Sequence, residues 1–223
     1  LLLEPRYTFK STIATEMQTI LAILNNPNIR ILIYSDSAEK AQTRLDNIKG
    51  IFEGRRGEKF RELFGRLETD PNKGGTWNLS QIVVKSRNYS YGEPTVDTAG
   101  IETSRIGCHF DMIIGDDIVT DKNTTTKGQM DKVHDCYKKA LSLLIPGGNL
   151  YLVGTRWNFG DPYGRIIQEE KNRFDIMIVK AHNDEKYGEY PFNNIGPVSL
   201  TKERLSELRS QQGSKIYSAL YLN

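Results

Sequence analysis

The sequence predicts an α/β fold with a mostly parallel central sheet flanked by helices. The first observation is a set of short apolar or β-branched runs, which are typical of buried strands. These runs are 1–3, 29–34, 82–85, 112–114, 150–154 and 176–180. The second observation is that helical patterns lie between several of the runs, and strands that alternate with helices favour a parallel sheet.

Three segments carry apolar residues at helical spacing, and they are 11–24, 38–52 and 130–144. Ser37 is placed to cap the second of these helices. The segment 72–98 has a different character, because it contains Gly74, Gly75 and Pro94 around a strand candidate. Such a composition predicts a hairpin or a lid.

The 223 residues, 38% of them hydrophobic, are enough for one α/β domain, or for one domain with a small appendage. A segment rich in Gly, Pro and Asn at 183–197 predicts a loop before the last helices. We therefore expect a core at 1–182 and a closing loop with helices at 183–223. The chain opens on an apolar run and closes inside a helical pattern, so we expect a piece of a longer protein whose core lacks its N-terminal part.

Composition excludes several classes of protein. The sequence has no run of about 18 apolar residues to cross a bilayer, and it has no secretory signal pattern. Cys108 and Cys136 form no CxxC pair and have no His/Cys spacing suited to zinc, so we expect reduced structural thiols. The formal charge of +2 is too small to indicate nucleic-acid binding by itself.

The first candidate site is residues 5–12, PRYTFKST, between a strand candidate and an amphipathic helix. A phosphate-binding loop needs inward backbone N–H groups, a lysine for the outer phosphates and a hydroxyl for magnesium. Lys10 and Ser11 fit the last two roles. Glu4 and Phe9 stand where the usual pattern has glycine, so an ordinary helix start remains an alternative.

The second candidate site is residues 110–117, FDMIIGDD, an apolar strand that ends in two adjacent carboxylates. This is a Walker B pattern, in which Asp116 holds magnesium and Asp117 orients or deprotonates the attacking water. A solvated turn is one alternative. A two-metal nuclease centre that includes Asp111 is another.

The third candidate site is residues 152–157, LVGTRW, again a strand that runs into polar groups. Ligands of open α/β sheets bind at the carboxyl ends of strands. A hydroxyl and a guanidinium there, from Thr155 and Arg156, could sense the γ-phosphate. The alternative is a strand end with a packing tryptophan, Trp157.

Together, the three sites resemble the large terminase subunits of tailed bacteriophages. Residues 5–12 are similar to that family's Walker A, 110–117 to its Walker B, and 154–165 to its coupling motif and the following helix. Residues 217–223 resemble the segment that closes its ATPase domain. The resemblance spans nearly the whole chain, and it implies a P-loop NTPase of the ASCE type with a small C-terminal helical appendage.

The resemblance implies ATP and Mg²⁺ as cofactors and gives roles to individual residues. Arg105 matches the position of an arginine that some terminases supply to a neighbouring subunit. The site residues are Arg6, Phe9, Lys10, Ser11 and Thr12 for the nucleotide, Ser11 and Asp116 for the metal, and Asp117, Arg105, Thr155 and Arg156 for catalysis and coupling. Phe9 departs from the family's glycine, which takes a positive φ.

The family also implies partners and a location. These are double-stranded DNA, the portal protein of the procapsid, the small terminase subunit and further copies in a ring, with no membrane. The work is done in the host cytoplasm and transiently at the portal vertex, not in the mature virion. A separate nuclease domain of the whole protein would cut the DNA.

Two other functions fit the same patterns. One is a helicase-like DNA translocase, and the other is a nucleotide-binding assembly module with weak hydrolysis. DNA contact has a candidate in a basic run, although a mixed run of this kind, which glutamates interrupt, is more typical of a solvated helix face. The basic residues of this run are Arg55, Arg56, Lys59, Arg61 and Arg66.

Overall fold

The computed structural model describes residues 1–182, 191–192 and 199–223. Its strands are β1 (Leu2–Leu3), β2 (Ile31–Ser35), β3 (Gln81–Ile82), β4 (Val96–Gly100), β5 (Phe110–Asp116), β6 (Leu144–Gly154) and β7 (Met177–Ile178). Within the described residues they form one sheet in the order β3-β4-β2-β5-β6-β1-β7. β1 pairs in parallel with β6 and β7, and β2 pairs in parallel with β4 and β5. This confirms the predicted α/β class with a mostly parallel sheet.

The helices of the described chain alternate with these strands. They are α1 (Gln18–Asn25), α2 (Ala38–Phe52), α3 (Glu58–Phe64), α4 (Lys127–Leu141), α5 (Pro162–Glu169) and α6 (Lys202–Tyr217). A π-helical segment, Thr12–Met17, leads directly into α1. α2 has the predicted bounds, and the predicted cap is confirmed because Ser37 Oγ accepts a hydrogen bond from the backbone N of Lys40. No described helix is both long and apolar enough to span a bilayer.

The chain divides into two compact units. Unit 1 comprises 1–10, 119–134 and the part of 153–223 that is described, and unit 2 comprises 11–118 and 135–152. In unit 2, Ile31, Leu32 and Ile33 of β2 are fully buried, and α2 packs on β2 and β4. Strands buried on both faces are expected to be continuously apolar. Unit 1 has its own core, to which Leu205 and Tyr221 belong.

Strand β4 was missed by the sequence prediction, which placed 72–98 in a hairpin or lid. β3 and β4 do pair antiparallel, with Gln81 opposite Asp97, so the hairpin is confirmed. β4 then continues as a fully buried strand beside β2. Its sequence, VDTAG, contains Asp, Ala and Gly, which are depleted in strands, and burial between neighbouring strands overrides that composition.

Two helix bounds also differ from prediction. The segment 11–24 starts as the π-helical Thr12–Met17 rather than as a regular α-helix. The helix predicted at 130–144 is α4, Lys127–Leu141, and Leu144 instead begins β6. Apolar periodicity marks buried faces better than it marks element ends.

The basic run does not lie on one helix. α2 ends at Phe52 and α3 begins at Glu58, so Arg55 and Arg56 lie in the turn between them. Arg55 is paired with Asp46 and Glu53. The predicted loop 183–197 lies outside the described residues except for 191–192, and the domain boundary near Asn183 stays a prediction.

Candidate functional site

The phosphate-loop candidate belongs to unit 1 and follows β1. The backbone N of Glu4 donates to the carbonyl oxygen of Gly154 at 3.2 Å. Thr8 Oγ1 lies 2.9 Å from a carboxylate oxygen of Glu4 and 2.9 Å from the carbonyl oxygen of Pro5. The backbone N of Arg6 donates to the carbonyl oxygen of Leu220 at 3.0 Å. These bonds fix a tight loop directly after the strand.

Two residues of this loop adopt the left-handed backbone region. Tyr7 has φ 70° and Phe9 has φ 60°, although neither is glycine. Left-handed residues in a short loop turn backbone N–H groups toward a common concavity that suits an anion. The positive φ expected for the residue before Lys10 is therefore present, and it is imposed on an aromatic side chain.

We expect Phe9→Gly to raise the stability of the protein. A left-handed residue with a Cβ costs roughly 1–2 kcal/mol, and glycine removes that cost at a position whose side chain is 51% exposed. The gain is partly offset by the entropy of the unfolded glycine. Compared with Phe9→Ala, which keeps the Cβ, Phe9→Gly should melt about 2–4 °C higher. Equal melting temperatures for the two variants in calorimetry would contradict a strained Phe9.

Lys10 closes the loop, and Ser11 opens the helical part of unit 2. The side chains of both residues are almost fully buried, with 9% and 8% exposed. Ser11 has helical φ and ψ of −68° and −35° and precedes Thr12–Met17. Strand, tight loop and helix start thus follow one another in the order that a phosphate-binding loop requires.

Asp116 ends β5 in unit 2 and is 1% exposed. Its Oδ2 accepts a hydrogen bond from Arg44 Nε at 2.7 Å, and its Oδ1 accepts one from Thr15 Oγ1 at 3.2 Å. Its backbone carbonyl accepts a hydrogen bond from Ser35 Oγ at 2.7 Å. The carboxylate is therefore held by a cation and a hydroxyl of its own unit.

Arg44 joins this carboxylate to a second one. Its Nη1 lies 3.3 Å from Glu16 Oε1, which also accepts from Asn47 Nδ2 at 2.7 Å. Burial lowers the pKa of Arg44, but the charges and hydrogen bonds of Asp116 and Glu16 outweigh burial and raise the pKa overall. One guanidinium thus pairs with two buried carboxylates.

The oxygen atoms around Asp116 fit Mg²⁺ only if phosphate and water complete its shell. Both carboxylate oxygens already have partners, so an ion would reach them through water or would displace one partner. Among the residues that the structure describes, no group of three His, Cys, Asp or Glu side chains could hold a metal. Mg²⁺ commonly binds to few protein ligands, such as one hydroxyl and one carboxylate, when substrate phosphates and water supply its other ligands.

Asp117 differs from its neighbour in backbone and burial. It has φ 48°, and its side chain is only partly buried. Asp tolerates the left-handed region better than most residues because its short polar side chain can bond locally. The turn after β5 thus separates the two carboxylates into one buried and one more accessible group.

The nuclease alternative gains no support from Asp111. This residue lies at the opposite end of β5, where Arg30 Nε lies 2.9 Å from its Oδ2 and the backbone N of Arg30 lies 2.8 Å from the same oxygen. Burial would raise the pKa of Asp111, but Arg30 lowers it overall. The three aspartates of the motif do not converge on one metal position.

Arg105 is engaged within its own unit. Its Nε donates to Asp97 Oδ2 at 2.8 Å, and its Nη2 donates to the carbonyl oxygen of Thr98 at 3.0 Å. Asp97 is a buried residue of β4, the strand that the sequence prediction missed. A role toward a neighbouring subunit would require Arg105 to leave this pair.

The coupling candidate belongs to unit 1 and ends β6. Thr155 is buried, with Oγ1 3.5 Å from the carbonyl oxygen of Glu4, the residue that opens the phosphate-loop candidate. The backbone N of Arg156 donates to Asn223 Oδ1 at 3.2 Å, and its guanidinium lies 4.7 Å from the ring centre of Phe159. Trp157 packs partly buried against the unit 1 core, as the alternative interpretation expected.

Asp161 explains why a turn and a helix follow the coupling candidate. It caps α5 and accepts hydrogen bonds from the backbone N atoms of Trp157, Asn158 and Gly164 at 2.8, 3.1 and 2.9 Å. Burial raises the pKa of Asp161 against these bonds. Gly164 is required, because a Cβ there would collide with the carbonyl oxygen of Phe159.

Sequence reasoning missed Thr15, Glu16 and Arg44. Thr15 and Glu16 lie one turn beyond Ser11, in the helix that a phosphate loop opens, so their position could have marked them. Arg44 has no local signal, because it is 72 positions from Asp116 and only the fold joins them.

Comparison with known proteins gave a likeness in structure but not in sequence. No protein-family model matches the chain, and no curated protein matches it. Among solved structures, the chain is similar to the ATPase domain of the large terminase of Thermus phage P74-26. The TM-score is 0.47 at 11% identity, over 99% of this chain and 86% of that chain.

Proposed function

We propose that this chain binds and hydrolyses ATP as the motor part of a DNA-packaging enzyme. The observation that carries the proposal is the loop after β1, in which Tyr7 and Phe9 hold left-handed conformations directly before Lys10. Backbone strain of this kind persists only where the surrounding structure imposes it, and it concentrates at ligand sites. A loop that forces an aromatic residue into the conformation of glycine fits selection for phosphate binding.

The residues of the loop take distinct roles. Backbone N–H groups of the loop and the helix start bind phosphate oxygens, with Arg6 and Thr12 beside them, and Lys10 reaches the outer phosphates. Ser11 and Asp116 would hold Mg²⁺, which when bound neutralises charge on the phosphates. Asp117 orients the attacking water and accepts its proton.

The link from hydrolysis to movement is assigned to Thr155 and Arg156. Thr155 contacts the backbone of Glu4, so a shift of the phosphate loop would move the end of β6. Arg105 is assigned to the γ-phosphate of a neighbouring copy after release from Asp97. The proposed motor acts on double-stranded DNA as a ring on the portal protein, with the small terminase subunit, in the host cytoplasm.

A nucleotide-binding assembly module is the second candidate. The pair between Arg44 and Asp116 favours it, because the carboxylate that would hold magnesium already has a cation as its partner. In that case, the chain would bind ATP and release no phosphate. The presence of Asp117 favours hydrolysis instead.

Calorimetry with ATP and Mg²⁺ tests the nucleotide site. We expect Lys10→Ala to weaken ATP binding about 10- to 100-fold, because hydrogen bonds to charged groups contribute roughly 1.5–3 kcal/mol. Lys73→Ala is the matched control, since Lys73 is an exposed lysine of a 3₁₀ turn in unit 2. Binding that is absent in the intact chain, or equal in both variants, would refute the assignment.

A further inference from the structure

Unit 2 contains a cavity of about 440 Å³ that the proposed ATP site does not use. Its wall consists largely of the chain segment after β3. It includes two cationic side chains, Lys85 and Arg87, and two aromatic ones, Tyr89 and Tyr91. None of the described residues in the wall is acidic. The cavity therefore favours an anionic ligand.

Arg87, a residue of this wall, has hydrogen-bond donors without an acceptor among the described residues. Its Nη1 donates to the carbonyl oxygen of Glu93 at 2.8 Å. Within the part of the chain that the structure describes, its Nε and Nη2 are buried without a hydrogen-bond partner. Burial, together with the nearby positive charge of Arg30, lowers the pKa of Arg87. Buried polar groups without partners are rare in native proteins, so these two donors need an acceptor.

The two unpaired donors form one edge of the guanidinium. Two parallel N–H groups on one edge match two oxygens of a phosphate, which is the bidentate geometry that makes arginine a phosphate-binding residue. Because both atoms are buried, a small side-chain shift in the wall has to accompany the contact. The exposed Lys85 adds a second positive charge to the same wall.

The tyrosines add a flat apolar surface beside the cations. The rings of Tyr89 and Tyr91 stack with centres 6.1 Å apart and planes 29° apart. The guanidinium carbons of Arg30 and Arg87 lie 4.8 and 5.0 Å from the ring centre of Tyr91, which fixes that ring. Tyr89 remains 66% exposed. An exposed aromatic ring next to phosphate-binding groups is typical of proteins that stack unpaired bases.

We propose that this cavity binds single-stranded nucleic acid, with a backbone phosphate on Arg87 and an unpaired base stacked on Tyr89. A duplex fits less well, because its bases are already stacked and their faces are hidden. A free nucleotide shares the same chemistry and is distinguished by experiment. The proposal does not depend on ATP binding or hydrolysis, because none of its residues belongs to that site.

Fluorescence anisotropy of the whole chain with a labelled oligothymidylate tests the proposal. Tyr89→Ala removes the ring on which a base stacks, and we expect it to weaken binding about tenfold. Arg87→Lys removes the bidentate phosphate contact, and we expect a loss of affinity of about tenfold there as well. Tyr89→Phe should bind normally because it keeps the ring. Leu79→Ala and Arg173→Lys are matched controls, since Leu79 is also 66% exposed and the Arg173 side chain is 63% exposed, and they should bind normally.

Several results would overturn the proposal. One is equal affinity of Tyr89→Ala and Leu79→Ala for the oligothymidylate. Another is a duplex that binds as tightly as the single strand and with no dependence on Tyr89. If thymidine monophosphate displaced the oligothymidylate at the same concentration of phosphate groups, the ligand of the cavity would be a free nucleotide instead. If Arg87→Lys fails to fold by circular dichroism, Lys85→Ala replaces it and should weaken binding and lower its salt dependence.

Discussion

Arg44→Met will lower the free energy of unfolding by about 3–5 kcal/mol at neutral pH, because it removes the cation from two buried carboxylates. The side chains of Asp116 and Glu16 are only 2% and 6% exposed, and Arg44 contacts both. Methionine keeps similar length and apolar volume, so the loss reports charge rather than a cavity. Chemical denaturation monitored by circular dichroism measures it.

Arg55→Met is the control for Arg44→Met. Arg55 also contacts two carboxylates, those of Asp46 and Glu53, but its side chain is 47% exposed. Pairs exposed to this degree contribute about 0–1 kcal/mol. Adding Asp116→Asn to Arg44→Met should recover part of the loss, since it removes one unpaired charge. Equal destabilisation by Arg44→Met and Arg55→Met would show that the buried network carries no special stability.

The sheet could be predicted where burial leaves a local pattern. Ile31–Ser35 is an apolar run because β2 is buried on both faces, and 38–52 shows helical periodicity because one side of α2 packs on the sheet. Val96–Gly100 has no such pattern, because Asp97 is buried in it. Asp97 can be buried because Arg105 neutralises its charge. The contact between these two residues forms only in the tertiary fold.

The candidate site also contains residues that a local sequence pattern reveals and residues that only the tertiary fold brings together. Lys10, Ser11 and Asp116 could be proposed from the sequence because the proposed roles depend on neighbours in the sequence, such as a strand end or a helix start. Arg44 could not be found, since the contact that gives it a role joins distant segments. Local motifs therefore predict a phosphate-loop candidate, but they do not show that the metal-binding candidate is ion-paired.

Backbone strain occurs in both the phosphate-loop candidate and the Walker B candidate. Within the described residues, the non-glycine positions with positive φ are Tyr7, Phe9, Asp117 and the terminal Asn223. Three of these four belong to the phosphate-loop and Walker B candidates. Strain of about 1–3 kcal/mol per residue is retained in folded proteins where function requires the conformation. Each segment thus carries backbone strain of the kind that proteins retain at ligand sites.

The left-handed backbone at Asp117 allows the proposed base to be removed without a change in the turn. Asp117→Asn will lower the rate of phosphate release from ATP by about 100-fold or more, because a positioned general base contributes roughly 10²–10⁴-fold. Asparagine tolerates the left-handed region as well as aspartate does, so the turn at φ 48° should be kept. ATP affinity and melting temperature should therefore stay close to those of the unchanged chain.

Asp121→Asn serves as the matched control, because Asp121 is an exposed aspartate four positions further along the chain. It should release phosphate at the unchanged rate. A rate for Asp117→Asn equal to that of the control would mean that Asp117 is not the base. Binding of ATP without phosphate release in the unchanged chain would instead favour the assembly module, in which the ion pair between Arg44 and Asp116 persists after the nucleotide binds.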